Sequence, residues 1–149
     1  MSMNSQVEKS EHKIHPDGTE KWYMGRDLHR VDGPAIILPN GAEQWYLNGK
    51  RHRIGGPAIT HVNGYEAWYK NGEWHRADGP AVIWADGSKL WYKNGELHRL
   101  DGPAIIRVDG TKAWFINGGR VTSYKKYQFL TGCNDEIIMV LKLKWGSIF

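Results

Sequence analysis

The 149-residue sequence has little cysteine and no long apolar run, and each shortage excludes a class of protein. One cysteine, Cys133, cannot form an internal disulfide framework, and such scarcity is typical of chains in a reducing compartment. No stretch reaches the roughly 18 apolar residues of a transmembrane helix, and the N-terminus has no apolar signal-peptide core. We therefore predict a soluble cytoplasmic protein, of a cell or of an infected host, for which a membrane is not an expected partner.

The sequence also lacks the motifs that catalysis and cofactor binding need. It has no glycine-rich loop of the phosphate-binding type, and no recognisable motif places a histidine beside Cys133. Twenty basic residues against sixteen acidic ones leave a net charge of only +4, which favours an acidic partner without identifying it. We predict a non-enzymatic protein with no cofactor and no catalytic residues.

What the sequence does have is an internal repeat with a strict period of 23 residues. A period this regular, without insertion or deletion, indicates a repeat array in which each unit packs on its neighbours. Each full copy contains a tryptophan followed by another aromatic residue, then a His-Arg pair and a Gly-Pro-Ala segment. The repeated tryptophans are Trp22, Trp45, Trp68, Trp91 and Trp114.

Asn-Gly and Asp-Gly pairs divide the array into hairpins. In one copy, Asp86-Gly87 and Asn94-Gly95 flank residues 88–93. Both pairs favour a two-residue type I′ turn, because glycine, asparagine and aspartate tolerate the positive φ that this turn needs. The predicted fold is mostly β: an elongated, single-layer antiparallel β-meander of about two strands per repeat, bent at each Gly-Pro.

Two-residue turns would also fix the register of the strands. An Asp-Gly turn of this kind pairs Ile83 with Leu90 and Trp84 with Lys89, and the Asn-Gly turn pairs each tryptophan with the histidine of its own copy. Alternate residues face opposite sides of a sheet. One face then carries the tyrosines with Leu90, and the other carries the repeated tryptophans with Trp84 and Lys89. We predict that the tyrosine face is buried and the tryptophan face is wetter.

The chain divides into three predicted segments. Residues 1–13 are polar and aperiodic and form a flexible lead-in, and residues 14–118 form the β-hairpin array. Residues 119–149 depart from the repeat pattern and form a small α/β cap over the open edge of the last copy.

Two elements are predicted inside the cap. A Thr-Ser pair favours a helix over Tyr124–Leu130 that ends at Gly132. Alternating residues that end at Trp145 predict a strand within 134–145, with a helix over 137–141 as the open alternative.

The recurrent His-Arg pair resembles a functional motif but favours a structural interpretation. Equivalent histidines lie two strands apart, about 9.6 Å, too far to share one metal ion. We therefore predict no metal site and place each histidine beside the tryptophan of its hairpin. Two interpretations of the arginine stay open: it pairs with nearby acids or covers the tryptophan, or some copies contact a ligand. The pairs are His29-Arg30, His52-Arg53, His75-Arg76 and His98-Arg99.

The aspartate of the Asp-Gly-Pro segment is interpreted as a cap on its own bend, made by a side-chain-to-backbone hydrogen bond. Gly55 replaces it in one copy, so the bend forms without it.

Positions that differ in every copy are the better candidates for partner contact, because the repeat does not need them to fold. Three residues after the invariant alanine stand Leu38, His61, Trp84 and Arg107. On the predicted register this row lies on the tryptophan face. The full set of candidate partner-binding residues is Leu38, His61, Trp84, Arg107, Lys89, Lys93, Arg76, Arg99 and Trp145.

The fixed spacing, the aromatic-x-Asn-Gly turns and the paired hairpins resemble the MORN repeat, in particular a variant group described as antitoxin-like. The resemblance covers Asp17 to Gly118, and the His-Arg-x-Asp-Gly-Pro-Ala segment is additional to the usual pattern. It implies an elongated, twisted sheet of hairpins that docks partners, dimerises or, in some members, meets phospholipid. The matching turns are Asn48-Gly49, Asn71-Gly72, Asn94-Gly95 and Asn117-Gly118, whereas the first copy has Gly25-Arg26.

These observations predict a binding protein that docks a flat aromatic and basic sheet face onto a protein partner, as an adaptor or inhibitor. One alternative is nucleic-acid or nucleotide binding, with tryptophans as stacking platforms and basic residues on phosphate. Another is phospholipid headgroup binding, which rests on the family resemblance alone, and a homodimer is also open. The basic residues of the nucleic-acid alternative are Arg30, Arg53, Arg76, Arg99, Arg107 and Lys93.

Overall fold

A computed structural model of the chain describes residues 10–146, and these divide into two compact units at Glu73 and Trp74. The predicted fold class is confirmed: the chain is mostly β, built of short antiparallel strands and hairpins, with two helices near its C-terminus. The division falls inside the array predicted for 14–118. Residues 1–9 of the predicted lead-in and 147–149 of the predicted cap lie outside the described residues.

The first unit pairs its strands in the order β1-β2-β4-β5-β8-β9, with β3 on β2 and β6 hydrogen-bonded to β7 as a separate hairpin. Strand β1 begins inside the segment predicted as lead-in. The strands are β1 (Glu11–Ile14), β2 (Glu20–Met24), β3 (Asp27–Leu28), β4 (Ile36–Ile37), β5 (Glu43–Gln44), β6 (Tyr46–Leu47), β7 (Lys50–Arg51), β8 (Ile59–Thr60), β9 (Glu66–Ala67) and β10 (Tyr69–Lys70).

The second unit pairs its strands in the order β12-β13-β16-β17-β18, and β14 with β15 forms a separate hairpin. A further strand, β11 (Glu73–Trp74), lies at the division. The other elements are β12 (Val82–Ile83), β13 (Lys89–Leu90), β14 (Tyr92–Lys93), β15 (Glu96–Leu97), β16 (Ile105–Ile106), β17 (Lys112–Ile116), β18 (Gly119–Val121), α1 (Tyr124–Thr131) and α2 (Asp135–Trp145).

The Asn-Gly turns have the predicted type I′ geometry. Asn94 and Gly95 have φ values of 51° and 78°, and the flanking strands pair Tyr92 with Leu97. The amide N–H of His98 donates to the carbonyl of Trp91 at 3.0 Å. His29 and His52 make the same bond to Trp22 and Trp45, so the predicted pairing of histidine with tryptophan across the hairpin is confirmed in these three copies.

The Asp-Gly turns are longer than predicted, and the predicted register is wrong by one residue. Val82, and not Ile83, pairs with Leu90. The Trp84 N–H donates to the Ser88 carbonyl, which leaves three residues in the loop, and only the glycine has positive φ, +88°. This is the alternative hairpin in which a type I turn is followed by a left-handed glycine. A one-residue shift moves every side chain of the strand to the other face.

The alanine of each Gly-Pro-Ala segment is completely buried. The carbonyls of Ala35, Ala58 and Ala104 accept the N–H of the tryptophan 13 residues earlier, at 2.8 Å for Ala104. The smallest side chain with a Cβ recurs here because a larger one would force the strands apart. The four alanines are Ala35, Ala58, Ala81 and Ala104.

The predicted helix α1 is confirmed. The strand predicted within 134–145 is wrong, because that segment is helix α2, and the alternative helix over 137–141 lies within it. Its N-cap Asn134 accepts the N–H of Ile137 through its side chain. Acidic residues in its first turn and lysines in its last turn suit the helix dipole. Capping and charge therefore favour the helix against the short alternation near Trp145, and burial of Ile138 and Leu141 adds to them.

The two helices cover the end of the array through one apolar cluster. Its buried members come from β17, β18, α1 and α2, and Trp145 packs against it. Cys133 also packs there, half-buried, as a core thiol. The buried members are Trp114, Ile116, Val121, Tyr127, Ile138 and Leu141.

Candidate partner-binding surface

The repeated arginine is held in place by three groups of its own copy. The guanidinium carbon of Arg99 lies 4.0 Å from the centroid of the Trp91 ring. Its Nε donates to Asp101 at 2.8 Å and its Nη1 to the Pro103 carbonyl at 3.2 Å. A Cβ added to Gly102 would lie 3.2 Å from the Arg99 guanidinium carbon. The Trp145 indole is nearer still, at 2.7 Å from such a Cβ, so these two packed side chains, and not positive φ, favour glycine here.

The same arrangement recurs in the first unit. The guanidinium carbon of Arg30 lies 4.1 Å from the Trp22 ring and that of Arg53 lies 3.9 Å from the Trp45 ring. In the copy with Gly55, Arg53 has no aspartate in its segment, and Gly55 itself has a φ of +77°. The interpretation of the arginine as a cover for tryptophan and a partner for acid is confirmed at Arg30 and Arg99, which make both contacts.

The aspartates of these segments are fixed as anions by their arginines. A side-chain hydrogen bond from Arg99 lowers the pKa of Asp101, opposed by partial burial. Hydrogen bonds from Arg30 and Arg76 likewise lower the pKa of Asp32 and Asp78. The charges of arginine and aspartate therefore cancel within each of these ion pairs. This reduces the attraction of the arginine row for phosphate, on which the nucleic-acid alternative depends.

Each histidine connects its copy to the next one. The backbone N–H of Asn48 donates to Nδ1 of His29 at 3.1 Å, and the Asn48 side-chain amide lies 2.7 Å from the same nitrogen. The pairs His52–Asn71 and His75–Asn94 repeat both contacts. This nitrogen is an acceptor already in use, and no group of three or more possible metal ligands occurs among residues 10–146.

Two concave surfaces lie within the second unit. The larger, the loop cleft, has a volume of about 670 Å³ and lies between two successive His-Arg-x-Asp-Gly loops. It brings together three predicted site residues, Arg76, Lys93 and Arg99. Both arginines bond to aspartates that line the same cleft, at 2.9 Å for Arg76 and 2.8 Å for Arg99. The cleft thus presents a mixed polar wall with one exposed lysine.

The smaller concave surface, the turn notch, has a volume of about 310 Å³ and lies between two successive Asp-Gly turns. It brings together the predicted residues Trp84 and Arg107, one from each turn. Trp84 is 49% exposed, and Arg107 is also exposed. The other lining residues are Asp86, Ser88, Leu90 and Ile105.

The variable row does not lie on the predicted face. Val82 and Ile105 both pair with Leu90, and alternation then places Trp84 and Arg107 on the Leu90 side of the sheet. Lys89 pairs with Ile83 and Ile106, on the opposite side. The prediction that the variable row shares a face with Lys89 and the repeated tryptophans is therefore wrong, because it rested on the two-residue Asp-Gly turn.

The remaining predicted site residues occupy separate places. Leu38 is half-buried and His61 is exposed, both beside Asp-Gly-like turns of the first unit. Trp145 is half-buried in the cap, and its Nε1 donates to the Asp101 carbonyl at 3.0 Å. Its indole also lies against Gly102, where an added Cβ would be 2.7 Å from its ring. Its indole therefore covers the last Arg-x-Asp-Gly loop.

Sequence reasoning missed Asp86, Leu90 and Ile105 as walls of the turn notch. Leu90 and Ile105 resemble ordinary core positions in the sequence, and only the register shows that they flank Trp84. Asp86 was assigned to the turn alone, and it does accept the Ser88 N–H at 2.8 Å. If the Asp-Gly loop is taken as three residues long, the sequence places Trp84 on the same side of the sheet as Leu90.

Comparison of the chain with known protein families and with curated proteins found no match. Within residues 10–146, no helix combines the length and apolar character needed to cross a bilayer.

Proposed function

We propose that this chain is a non-enzymatic binding protein that docks onto a protein partner, as an adaptor or inhibitor, through the turn notch. The observation that carries the proposal is the exposed Trp84 beside Arg107, both at positions that vary between copies. Tryptophan and arginine are the residues that contribute most to binding energy at protein interfaces. The single cysteine supports a cytoplasmic location for this activity.

The residues that line the turn notch indicate which chemical groups of a partner would fit there. Leu90 and Ile105 provide an apolar floor, so an apolar or aromatic side chain of the partner fits there. Arg107 at the rim suits a carboxylate of the partner, since arginine binds carboxylates in two-pronged geometry. We propose a partner segment with an apolar anchor next to an acidic residue.

The repeated arginines support this proposal over nucleic-acid binding. The side chains of Arg30, Arg76 and Arg99 are only 22%, 24% and 14% exposed, and each is paired with an aspartate. A phosphate would have to compete with that carboxylate for the guanidinium. Phospholipid binding has no support beyond the resemblance to MORN repeats, which itself remains a proposal.

Affinity purification with mass spectrometry tests the proposal when wild type is compared with the double variant Trp84→Ala/Arg107→Glu. We expect specific proteins to be enriched by wild type and lost from the double variant. The matched control is Glu96→Ala, an exposed change on the neighbouring β14–β15 hairpin, which should retain them.

Nucleic acid and nucleotide are extracted from the same samples. Recovery of RNA or nucleotide without any specific protein would contradict the proposal and favour the alternative, particularly if binding weakens steeply with salt. Proteins retained equally by the double variant would place the contact elsewhere.

A further inference from the structure

The two C-terminal helices each expose an apolar face opposite the face that packs on the array. Phe129 on α1 and Leu143 on α2 are 87% and 81% exposed. On the packed faces, Tyr127, Ile138 and Leu141 are buried. The other exposed apolar residues of this cap surface are Leu130, Ile137, Met139 and Val140.

Helix α2 has apolar residues on both its packed and its outward face, between charged residues in its first and last turns. Ile138 and Leu141 point inward, and with about 3.6 residues per turn Met139, Val140 and Leu143 point outward. A contiguous exposed apolar patch bordered by charged residues is typical of an interaction surface. The outward face of α2 therefore has the composition of an interface.

The outward face of α2 is complementary to itself when two copies run antiparallel. If Val140 of one copy meets Val140 of the other, Glu136 lies opposite Lys144 at both ends of the pair. The same register places Ile137 opposite Leu143. Acidic residues in the first turn and lysines in the last turn give the whole helix this polarity. An antiparallel pair thus matches apolar with apolar and acid with base.

We infer that a second copy of this chain docks on the cap surface, with α2 against α2 about a two-fold axis near Val140. Such an interface is isologous, because each copy offers the same patch to the other. The acidic first turn of α2 disfavours an anionic membrane as the occupant, whereas self-pairing uses both charges. This inference is independent of the turn notch.

The pairing is expected to be reversible. A helix of 11 residues is only about 16 Å long, and stable interfaces usually bury about 800 Å² per partner. Phe129 and Leu130 of α1 extend the apolar area beyond α2 alone. We expect a dimer with a dissociation constant of about 1 to 10 μM, which corresponds to roughly 7 to 8 kcal/mol.

Sedimentation equilibrium of the full chain from about 1 to about 100 μM tests the inference across this range. Wild type should change from its monomer mass of 17.1 kDa towards twice that mass. Val140→Asp should stay monomeric, because two carboxylates would meet at the axis. Val108→Asp is the matched control, since Val108 is an exposed valine of the array, and it should dimerise like wild type.

A charge-exchange experiment tests the register without an aspartate in the apolar face. The variants E136K and K144E should each dimerise at least about tenfold more weakly, because each alone opposes like charges, a cost of about 1.4 kcal/mol. An equimolar mixture of the two should regain the wild-type affinity. Circular dichroism of each variant checks that α2 still forms, since both changes oppose the helix dipole.

The mixture distinguishes a specific pair from a merely damaged helix, because damage would not be repaired by mixing. Wild type that stays monomeric up to about 100 μM would overturn the inference. So would a dimer that Val140→Asp leaves intact, or a mixture that associates no better than E136K and K144E alone.

Discussion

The backbone N–H of Asn94 donates to Nδ1 of His75, 19 residues earlier in the chain, at 3.2 Å. The bond joins one copy to the hairpin turn of the next, and the turn requires the asparagine for its positive φ of 51°. One asparagine therefore serves both the turn and the connection between copies. The same backbone bond recurs at His29–Asn48, His52–Asn71 and His98–Asn117.

Replacing His29 with phenylalanine should lower the free energy of unfolding by about 1 to 2 kcal/mol. The ring volume is nearly kept, but the buried His29 side chain no longer accepts the N–H of Asn48. His61→Phe is the matched control, because His61 is exposed and makes an edge contact with Tyr65 that a phenyl ring can keep. Urea denaturation of both variants measures the difference, and equal midpoints would contradict a role for the histidine nitrogen.

Replacing Arg99 with lysine should destabilise the chain by about 1 to 2 kcal/mol, although the charge is kept. A lysine cannot stack flat on Trp91 while it also donates to Asp101 and to the Pro103 carbonyl, as the guanidinium does. Arg107→Lys, at an exposed position of the turn notch, should change stability by less than about 0.5 kcal/mol. Urea denaturation measures both losses of stability. Equal losses in Arg99→Lys and Arg107→Lys would contradict a specific role for the Arg99 guanidinium.

The hairpins could be predicted from the sequence wherever the residues of the turn favour a single turn type. Asn-Gly pairs such as Asn94-Gly95 strongly favour type I′ geometry, and the structure has it. Asp-Gly pairs are less specific, because aspartate also starts the three-residue turn by accepting the N–H two residues later, as Asp86 does from Ser88. This choice set the face of Trp84 and hence which residues form the notch.

The cap could be predicted only in part because local signals compete there. Ser123 caps α1 and Gly132 ends it with a φ of 66°, both of which the sequence indicates. In α2, the alternating residues near Trp145 favour a strand, while Asn134 and the charged ends favour a helix. The outcome depends on burial of Ile138 and Leu141 against the array, a tertiary contact that no local pattern contains.

Only some contacts of the His-Arg segment could be predicted from the sequence. The pairing of Arg99 with Asp101 follows from proximity in the chain, and it was one of the interpretations left open. The bond between His98 Nδ1 and the Asn117 backbone spans 19 residues and depends on how consecutive copies stack. Only coordinates for both copies show it.

Replacing Asp101 with asparagine should remove a contribution to stability that depends on pH. The hydrogen bond from Arg99 lowers the pKa of Asp101 below its ordinary value of 3.8. The ion pair therefore stabilises the fold fully above that ordinary value, and its contribution is lost as the pH falls through the lowered pKa. At neutral pH we expect Asp101→Asn to cost less than about 1 kcal/mol, because Asp101 is largely exposed.

Urea midpoints between about pH 2.5 and about pH 7 measure this effect. The wild-type midpoint should fall more steeply than that of Asp101→Asn below about pH 4, so the two curves converge in acid. Glu73→Gln, which changes an exposed carboxyl on β11, is the control. A constant gap between wild type and Asp101→Asn at every pH would contradict an ionic origin.

Truncation of Trp145 should cost more stability than truncation of Trp84, because Trp145 covers the array and Trp84 is about half exposed. Trp145→Ala removes the bond to the Asp101 carbonyl and the indole that covers Gly102, so we expect a loss of about 2 to 3 kcal/mol. Trp84→Ala should cost less than about 1 kcal/mol, because its side chain is about half exposed. Urea midpoints compare the two losses, and hydrogen exchange of the amides of residues 99–102 should accelerate only in Trp145→Ala. A Trp145→Ala variant as stable as wild type would contradict a structural role for the indole in the cap.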